Sequence, residues 1–381
     1  MSVFAVGVTR VDGEVPRTVG ASPAVTLLQR RWPTGCCVRR RGYADSVHGI
    51  PGFLSRDDDT AWDPSDAVQR ISPAEAIEIA REVFDLDVLT VARMETERDD
   101  SFRLRTTSGD LLLKVAHPAD SVAAVDLQTS ALLFATARDA ELPLQHFHAS
   151  KVGEIAPKLK DHDDRVARVL TWLPGTLLAN STPTDFQVVL LGEALGRLSV
   201  ALRGFEHPAS EYSMAWDLAQ ASRLRAVSEQ LPNAAVTETL DRYERDVVPE
   251  LGELPRQIIH NDFNPGNVVI DARETRYVTG ILDFGDAIHS IRVGDLACAL
   301  SYQLLPMGRS WESCARFIEG FERRVLLLPA ERAVLKTLVL TRFAQRILIN
   351  GWLAKTGEGR THDPENLAAT RRTLESLLGE L

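Results

Sequence analysis

Three polar positions interrupt apolar, strand-like stretches of the chain. The segment "IIHNDFNPGNVVI", residues 258–270, contains Asp262 and Asn267 five residues apart. Asp283 ends the apolar run of "ILDFGDA", and Lys114 lies inside "LLLKV". A charged side chain in an apolar strand is costly unless it has a partner. These residues are therefore expected to meet one another or a charged ligand.

Phosphoryl transfer is a chemistry that uses all of these side chains. Asn267 and Asp283 offer oxygen ligands that suit Mg²⁺, which binds few protein groups and leaves the others to phosphate and water. Lys114 supplies positive charge to nucleotide phosphates, and Asp262 remains to accept a proton from a hydroxyl group. Kinases place these residue types in the same order: a lysine, an aspartate followed five positions later by an asparagine, and a metal-binding aspartate.

The elements that must position these residues begin with a helix in "SPAEAIEIAREVF". Ser72 caps the helix, Pro73 fits its first turn, and Glu75 completes a capping box. Three strand-like pieces follow, with "SGD" as the turn between the second and third, and then a helical segment and two more strands. Residues 71–173 are thus predicted to form a small antiparallel sheet with helices. The strand-like pieces are "LDVLTVARM", "SFRLRTT", "LLLKVAH", "LPLQHFHAS" and "RVARVLTWL".

The second part of the chain is mainly helical in pattern. After the connector "PGTLLANSTPTD", residues 185–254 have helical periodicity, and the hairpin "NVVIDARETRYVTGILDF" follows the polar segment. The pattern after about residue 291 is again helical. The sequence therefore predicts an α+β, bilobal fold, with a small antiparallel β-rich N-lobe over residues 71–173 and a larger α-rich C-lobe over residues 174–381.

Residues 1–70 differ from the rest, since they contain nine arginines and no lysine and show no sustained period. Three interpretations stay open. The segment is an irregular or disordered extension, it is translated from upstream of the true start, or it is an arm that binds a partner through Arg39, Arg40 and Arg41. The residues that could do chemistry all lie downstream of it.

Composition narrows the class of protein. A net charge of −10 argues against a general nucleic-acid binder, which usually has a basic patch. No apolar run reaches the roughly 18 residues that cross a bilayer, so no membrane partner is expected. The four cysteines contain no CxxC pair, which indicates a reducing, cytoplasmic compartment and neither a disulfide framework nor a zinc site. The oligomeric state stays open.

The combination "IIHNDFNPGN…GILDFGDA" resembles the aminoglycoside phosphotransferase family of kinase-like enzymes. Within that family the chain is most similar to hydroxylysine kinases and to the kinase-like domains fused to class III aminotransferases. The resemblance covers roughly residues 70–380. It implies a bilobal protein-kinase-like fold with a nucleotide bound between the lobes. Further similar segments are "ERDDSFRLRTTSGDLLLKVAHP", "DLQTSALLF", "LTWLPG", "MAWDL" and "VGDLACALSYQLL".

Carried over residue by residue, the resemblance implies that Asp262 is the catalytic base. It makes Asn267 and Asp283 the ligands of Mg²⁺. Lys114 becomes the residue that contacts the α- and β-phosphates of ATP or GTP. These roles agree with the chemistry that the spacing of the same residues predicts.

The resemblance also implies nucleotide contacts elsewhere in the N-lobe. Asp126 falls where the family usually has a helix glutamate that pairs with the lysine; because aspartate is one methylene shorter, Gln128 is the alternative partner. The segment "ERDDSF", which includes Ser101 and Phe102, occupies the position of the phosphate-binding loop without the glycines of a protein kinase. The hinge whose backbone binds the purine, "VLTWL", ends at Leu173.

Several further residues are expected near the site. His260 is expected to hold the catalytic loop by hydrogen bonds rather than to transfer protons. Asn264 either shapes the loop or touches the substrate, and Asp286 binds metal, substrate or a loop amide. Arg342 contacts either a substrate carboxylate or an internal acid. Two alternatives, substrate pocket and buried core, stay open for Trp216 and Trp352.

These expectations lead to one main hypothesis and its rivals. The chain is predicted to be a kinase that moves the γ-phosphate of ATP or GTP to the hydroxyl of a small amine-bearing alcohol, with 5-hydroxylysine first. Homoserine, choline, ethanolamine and aminoglycosides are alternative acceptors. A rival of another class is a nucleotide-binding pseudokinase module without turnover, and a weaker rival is a phosphohydrolase that uses the same carboxylates.

Overall fold

The computed structural model of the protein describes Ile50 and residues 70–96, 99–305, 311–356 and 364–380. The three interpretations of residues 1–70 fall outside this range, apart from Ile50 and Arg70. Ile50 is fully buried within the main hydrophobic core. None of the helices in the described ranges has the length and apolar character that crossing a membrane requires.

The N-lobe is built on an antiparallel sheet with the strand order β1-β2-β3-β6-β4, and β5 pairs with the other end of β6. The register places Ser101 opposite Lys114, and Lys114 opposite Arg168. Three neighbouring strands therefore present these side chains side by side. The strands are β1 (Val88–Arg93), β2 (Asp100–Thr106), β3 (Gly109–Val115), β4 (Phe147–His148), β5 (Lys158–Leu159) and β6 (Arg165–Thr171).

Two helices accompany this sheet: α1 (Pro73–Phe84) and α2 (Val122–Arg138). The predicted capping box is confirmed, because the Ser72 hydroxyl accepts from the Glu75 amide at 3.2 Å and the Glu75 carboxylate accepts from the Ser72 amide at 2.7 Å. This reciprocal pair satisfies two of the amide groups that a helix start leaves without partners. Helix α1 then packs its apolar face into the N-lobe core.

One predicted strand of the N-lobe is much shorter than its apolar pattern indicates. The segment "LPLQHFHAS" contributes only β4 to the sheet, and Leu144 instead forms a parallel bridge with Ile281. The reason is Pro143, which has no amide proton to donate to a strand ladder. Its carbonyl accepts from the Ile281 amide at 2.9 Å, so the segment connects the two lobes.

The C-lobe is larger and mainly helical, and the described residues after 291 are helical as predicted. The predicted hairpin forms as β9 and β10, to which β7 adds, whereas β8 pairs with β11 in a separate two-stranded sheet. The strands are β7 (Thr176–Leu177), β8 (Arg256–Ile259), β9 (Val268–Ile270), β10 (Val278–Ile281) and β11 (Ile288–Ile291). The helices are α3 (Asp185–Leu202), α4 (Arg225–Gln230), α5 (Ala234–Asp246), α6 (Val293–Leu304), α7 (Trp311–Glu322), α8 (Pro329–Thr356) and α9 (Pro364–Gly379). Short 3₁₀ turns cover Lys160–His162, Leu178–Asn180, Leu218–Leu224 and Val248–Glu250.

Helix α8 runs through the C-lobe core and is buried without interruption from 337 to 350. A helix that is buried on all sides is expected to be apolar all round. Helix α8 departs from that expectation, since its buried stretch includes Arg342, Gln345, Arg346 and Asn350. These side chains place charged and amide groups inside the C-lobe, next to the floor of the cleft.

Candidate active site

The loop between β8 and β9 carries the predicted catalytic residues and is anchored to α6. The Asp295 carboxylate accepts from the backbone amides of His260, at 3.0 Å, and Asn261, at 2.6 Å. Asn261 itself has a left-handed backbone conformation, with φ at 64°. Asp295 is fully buried in the first turn of α6, and burial raises its pKa. The turn before Asp262 is thus fixed by a buried side chain from another element.

His260 holds this loop to the end of β10. Its Nδ1 accepts from the Asp262 amide at 3.2 Å, which places the ring proton on Nε2. Nε2 donates to the carbonyl of Leu282 at 2.9 Å, and the ring meets Phe284 edge-on at 5.0 Å. Both ring nitrogens are therefore occupied within the protein, as expected of a residue that holds a loop by hydrogen bonds.

Asp262 lies on the cleft floor between two amide donors. Its Oδ1 accepts from Asn264 Nδ2 at 2.8 Å, and its Oδ2 accepts from Asn267 Nδ2 at 2.7 Å. Burial raises the pKa of Asp262, while the hydrogen bond from Asn264 and the positive charge of Arg342 act in the opposite direction. The carboxylate is thus held in one orientation and made a stronger proton acceptor than an exposed aspartate.

Asn267 and Asp283 are adjacent and have oxygen atoms to offer a cation. The Asn267 amide nitrogen is taken by Asp262, so its amide oxygen is the atom left for a ligand. The Asn267 carbonyl accepts from the Leu282 amide at 2.8 Å, which ties the loop to the residue before Asp283. Asp283 has φ at 59°, and its side chain is 47% exposed to the cleft. This donor set fits Mg²⁺, which takes its remaining ligands from phosphate and water.

Lys114 reaches across the cleft from β3. Its Nζ lies 3.2 Å from Asp99 Oδ2 and 3.5 Å from Asp283 Oδ1. The nearby positive charge of Lys114 lowers the pKa of Asp283. The lysine and the second predicted metal ligand therefore share one electrostatic site at the boundary between the lobes.

The prediction that Asp126 pairs with Lys114 is wrong. The Asp126 carboxylate lies 3.2 Å from His207 Nε2, and the Asp99 carboxylate takes the lysine instead. Gln128, the alternative, accepts from Arg168 Nη1 at 3.0 Å. Residues two apart on a helix point about 200° apart, so α2 directs Gln128 to the sheet and Asp126 away from it.

Sequence reasoning missed Arg168 and Asp99 as members of the site. Arg168 is buried opposite Lys114 in the β3–β6 register, and its Nη2 lies 3.6 Å from Asp99 Oδ2. Both residues line the cleft, so two cations, Lys114 and Arg168, meet one acid, Asp99, on its N-lobe side. The signal was present in "RVARVLTWL", where Arg168 is a charge inside an apolar strand, as Lys114 is in its own.

The remaining N-lobe predictions divide between the cleft and the core. Ser101 lines the cleft beside Lys114, and its buried hydroxyl has no hydrogen-bond partner in the described part of the chain. Leu173 lines the cleft just after β6. The prediction that Phe102 binds nucleotide is wrong for its side chain, which is fully buried in the N-lobe core under Arg93. Successive strand residues point to opposite faces, so β2 cannot direct both Ser101 and Phe102 into the cleft.

The cleft has a volume of about 860 Å³ and is lined by both lobes. Trp216 lines it, whereas Trp352 packs against the main core and is not among the lining residues. Asp286 also lines the cleft. Residues from α6 and α8 complete its C-lobe side: Tyr302, Arg342, Arg346, Ile349, Asn350 and Leu353.

Arg342 braces the catalytic loop from below. Its Nη1 donates to the carbonyl of Trp216 at 2.7 Å, and its Nη2 donates to the carbonyl of Asn261 at 3.2 Å. The guanidinium also lies 4.9 Å from the Trp216 ring centroid. Over the described ranges Arg342 forms no salt bridge with a carboxylate, and the internal acids Asp262 and Asp286 act on it only at longer range.

The sequence model of the phosphotransferase enzyme family (APH) matches residues 92–336, which contain Lys114, Asp262, Asn267 and Asp283. The chain belongs to this family. It is a small-molecule phosphotransferase with the bilobal, kinase-like α+β fold that the sequence predicted.

Relatives of this phosphotransferase include hydroxylysine kinases. The chain is 26% identical to a hydroxylysine kinase of Danio rerio over 298 residues, covering 73% of the chain and 83% of the relative. It is 24% identical to a hydroxylysine kinase of Mus musculus, covering 72% of the chain and 81% of the relative.

Solved structures of small-molecule kinases share the fold. One is an amicoumacin kinase, hAmiN, in complex with AMP-PNP, Ca²⁺ and Ami, with a TM-score of 0.61 and 16% identity, covering 81% of this chain and 93% of that one. Another is a microcompartment-associated aminopropanol kinase, with a TM-score of 0.60 and 15% identity, covering 79% and 94%. These likenesses establish the architecture.

Proposed function

We propose that the protein transfers the γ-phosphate of ATP or GTP to the hydroxyl of a small amine-bearing alcohol, with 5-hydroxylysine as the first candidate. The observation that carries this proposal is the meeting of Lys114, Asp262, Asn267 and Asp283 in one cleft. Similarity to hydroxylysine kinases over nearly three quarters of the chain supports the choice of acceptor.

Asp262 is the proposed base. It accepts the proton of the substrate hydroxyl while that oxygen forms a bond to the γ-phosphorus and the bond to the β-phosphate oxygen breaks, releasing the nucleoside diphosphate. Asn264 and Asn267 orient the carboxylate through the hydrogen bonds described above, so the proton acceptor is positioned before the substrate arrives. Proton transfer to a positioned side chain typically contributes about 10²- to 10⁴-fold to a rate.

Mg²⁺ is the proposed metal, held by the Asn267 amide oxygen and the Asp283 carboxylate. When bound there, it would supply positive charge that offsets the negative charge developing on the phosphate during transfer. Within the ranges that the structure describes, no three His, Cys, Asp or Glu side chains cluster as a metal site. The site suits a hard cation that shares its coordination with phosphate, rather than a metal caged by protein alone.

The nucleotide is proposed to occupy the N-lobe side of the cleft. Lys114 and Arg168 supply positive charge for its phosphates, and the Ser101 hydroxyl beside them is a donor without a partner among the described residues. The hinge that ends at Leu173 is proposed to bind the base. Asp99 keeps the two cations in place through contacts at 3.2 and 3.6 Å.

The proposed compartment is the cytoplasm, as the cysteine pattern indicates, and no nucleic acid or membrane partner is proposed. Homoserine, choline, ethanolamine and aminoglycosides remain the alternative acceptors. The pseudokinase alternative is disfavoured because Lys114, Asp262, Asn267 and Asp283 are all present and together.

A coupled assay with Mg²⁺-ATP and Mg²⁺-GTP against a panel of amino alcohols and hydroxy amino acids tests the proposal. Phosphorylation of 5-hydroxylysine above all others is the expected result. Tight nucleotide binding without any phosphorylated product would favour the pseudokinase module. Nucleotide hydrolysis that no alcohol diverts into product would favour the phosphohydrolase.

A further inference from the structure

Two buried arginines lie one turn apart on α8 and line the cleft. Arg342 is 2% exposed and Arg346 is 7% exposed. Arg342 also donates to the carbonyl of Asn261, the residue before the proposed base. The pair is therefore next to the place where a substrate hydroxyl must lie.

The contacts of Arg346 leave part of its guanidinium unused. Its Nη2 donates to Asn366 Oδ1 at 3.2 Å, and the group stacks on the Tyr302 ring at 4.7 Å. Its Nη1 is buried without a hydrogen-bond partner, as is Nε of Arg342, among the residues that the structure describes. Buried donors without partners are rare in native proteins, and each calls for an explanation such as a ligand.

Neither arginine forms a salt bridge within the described ranges, and the negative charges of Asp262 and Asp286 act on Arg342 only at longer range. No carboxylate there lies within 4.0 Å of Arg342 or Arg346. Burial raises the pKa of Tyr302 to about 12 and that of Cys298 to about 12, so both neighbours remain neutral. Burial lowers the pKa of Arg346, and the like charge of Arg342 acts in the same direction.

Other buried or half-buried arginines in the described part of the chain are paired. Arg165, also buried, lies 2.7 Å from the Asp100 carboxylate. Arg292 donates to the fully buried carboxylate of Glu331. A buried charge without a partner is strongly unfavourable, so the exception at the cleft indicates that an anion comes from outside the fold.

Asn350 extends the same face of α8 by one more turn. It lines the cleft, and its buried Oδ1 has no hydrogen-bond partner in the described residues. Residues at i, i+4 and i+8 lie along one side of a helix. Two donors for an anion are thus followed by an acceptor that suits an ammonium group.

We propose that Arg346, together with Arg342, binds the carboxylate of the acceptor substrate, so that the enzyme selects a hydroxy amino acid over the corresponding amino alcohol. Asn350 accepts from the α-ammonium group beside that carboxylate. This inference rests on the proposed function and narrows its substrate class. Arginine suits the role because its planar group holds a carboxylate by two parallel hydrogen bonds.

The nucleotide is a different source of anionic oxygen, and the position of the arginines disfavours it. Lys114 and Arg168 serve the phosphates from the N-lobe strands β3 and β6. Arg342 and Arg346 lie on the C-lobe helix α8, and Arg342 donates to the catalytic loop at the carbonyl of Asn261. The test below separates the two sources, because a phosphate contact affects every acceptor equally.

Two matched pairs of acceptors test the proposal on the wild-type chain. In each pair the second compound is the first without its carboxylate: 5-hydroxylysine and 1,5-diamino-2-pentanol, and homoserine and 3-amino-1-propanol. In the preferred pair, we expect kcat/KM to be about 10- to 100-fold higher for the compound with the carboxylate than for the compound without it. This is the size expected for hydrogen bonds to a charged group. Equal values for acid and amine would overturn the carboxylate inference and leave the proposed function standing.

The variant Arg346→Met keeps the aliphatic volume and removes the charge. We expect it to lower kcat/KM for the acid by about 10- to 100-fold, chiefly through KM, and to leave the value for the amine within about threefold. Arg346→Lys should restore part of the preference. Arg332→Met, at an exposed arginine of the same helix that pairs with Glu322, is the matched control and should change neither value.

Equal losses on both acceptors in Arg346→Met would assign the arginine to a structural or phosphate-binding role and overturn the inference. A wild-type chain that phosphorylates neither member of either pair would overturn the inference together with the proposed function. If Arg346→Met fails to fold, the wild-type comparison decides alone, since it needs no variant.

Discussion

The two sides of the cleft differ in how their buried cationic side chains are paired. On the proposed nucleotide side, Lys114 meets Asp99 and Asp283, and Arg168 meets the same Asp99. On the proposed acceptor side, Arg342 and Arg346 contact carbonyls, an amide and aromatic rings, and no carboxylate in the described residues lies within 4.0 Å of them.

This difference shows which of the two proposed binding regions can be recognised from the sequence and which requires the structure. A nucleotide is common to the whole family, so its side of the cleft is marked by residue types at fixed spacing. The acceptor differs between family members and leaves no motif in the sequence. The proposed acceptor side can be recognised only from the three-dimensional structure, where buried donors and charges lack hydrogen-bond or salt-bridge partners among the described residues.

The largest effect is expected from Asp262→Ala, which removes the group where the two sides meet. We expect kcat to fall by about 10³-fold or more, since proton transfer to a positioned base is lost. Nucleotide affinity should stay near that of the wild type, because Lys114, Arg168 and Asp283 are untouched. Steady-state kinetics and nucleotide titration measure the two quantities, and near-normal turnover would refute the assigned base.

The variant Asp100→Asn measures how much stability this fold loses when a buried arginine has no carboxylate partner. The fully buried Asp100 carboxylate lies 2.8 Å from Arg93 and 2.7 Å from Arg165, and it also accepts from the Ile71 amide. Breaking such a pair by removing one charge typically costs about 3 to 5 kcal/mol. Urea denaturation should show a loss of this size.

The same aspartate gives a pH dependence with a definite sign. Burial raises the pKa of Asp100, but hydrogen bonds from Arg93 and Arg165 outweigh it, and the folded-state pKa lies below 3.8. A carboxyl with a depressed pKa stabilises the fold above its unfolded value and loses that stabilisation as the pH falls. The nearby charges are Arg70, Arg93, Arg165 and, at longer range, Glu75. The stability gap between wild type and Asp100→Asn should therefore narrow below about pH 3.8, and a gap that widens there would contradict the assignment.

Asp283→Ala addresses the metal on the nucleotide side. We expect the affinity for nucleotide to fall by about 100-fold when Mg²⁺ is present, since an ionised ligand is lost where charge-assisted contacts are strong. Without Mg²⁺, the two proteins should bind nucleotide more equally. Isothermal titration with and without EDTA measures this, and an equal deficit in both conditions would argue against a metal role.

The smallest effect is expected from Gln128→Leu, which frees Arg168 without touching the lysine. Loss of one hydrogen bond to a charged group should raise the KM for nucleotide by about tenfold. Asp126→Ala is the matched control on the same helix, since Asp126 contacts His207 instead. A larger effect from Asp126→Ala than from Gln128→Leu would reverse the corrected assignment of α2.

Local features of the sequence predicted much of this structure. The capping box at Ser72 and the β9–β10 hairpin depend on neighbouring residues alone, and both form as predicted. The catalytic loop and Lys114 could be identified from the sequence, because a charged residue inside an apolar strand-like segment can be recognised without knowing the fold.

The errors have a common cause, which is the direction of a side chain. Asp126 and Phe102 were placed by their position in the chain, but helix and strand geometry turn them away from the cleft. Arg168 and Arg346 were overlooked because only tertiary packing shows which residues face the cleft and which of them lack partners.

Mass spectrometry of the products formed from Mg²⁺-ATP and 5-hydroxylysine tests the central claim most directly. The account predicts that the wild-type protein adds one phosphoryl group to hydroxylysine for each ADP released, and that Asp262→Ala forms neither product at a comparable rate. ADP without phosphorylated hydroxylysine, or product formation undiminished in Asp262→Ala, would contradict it.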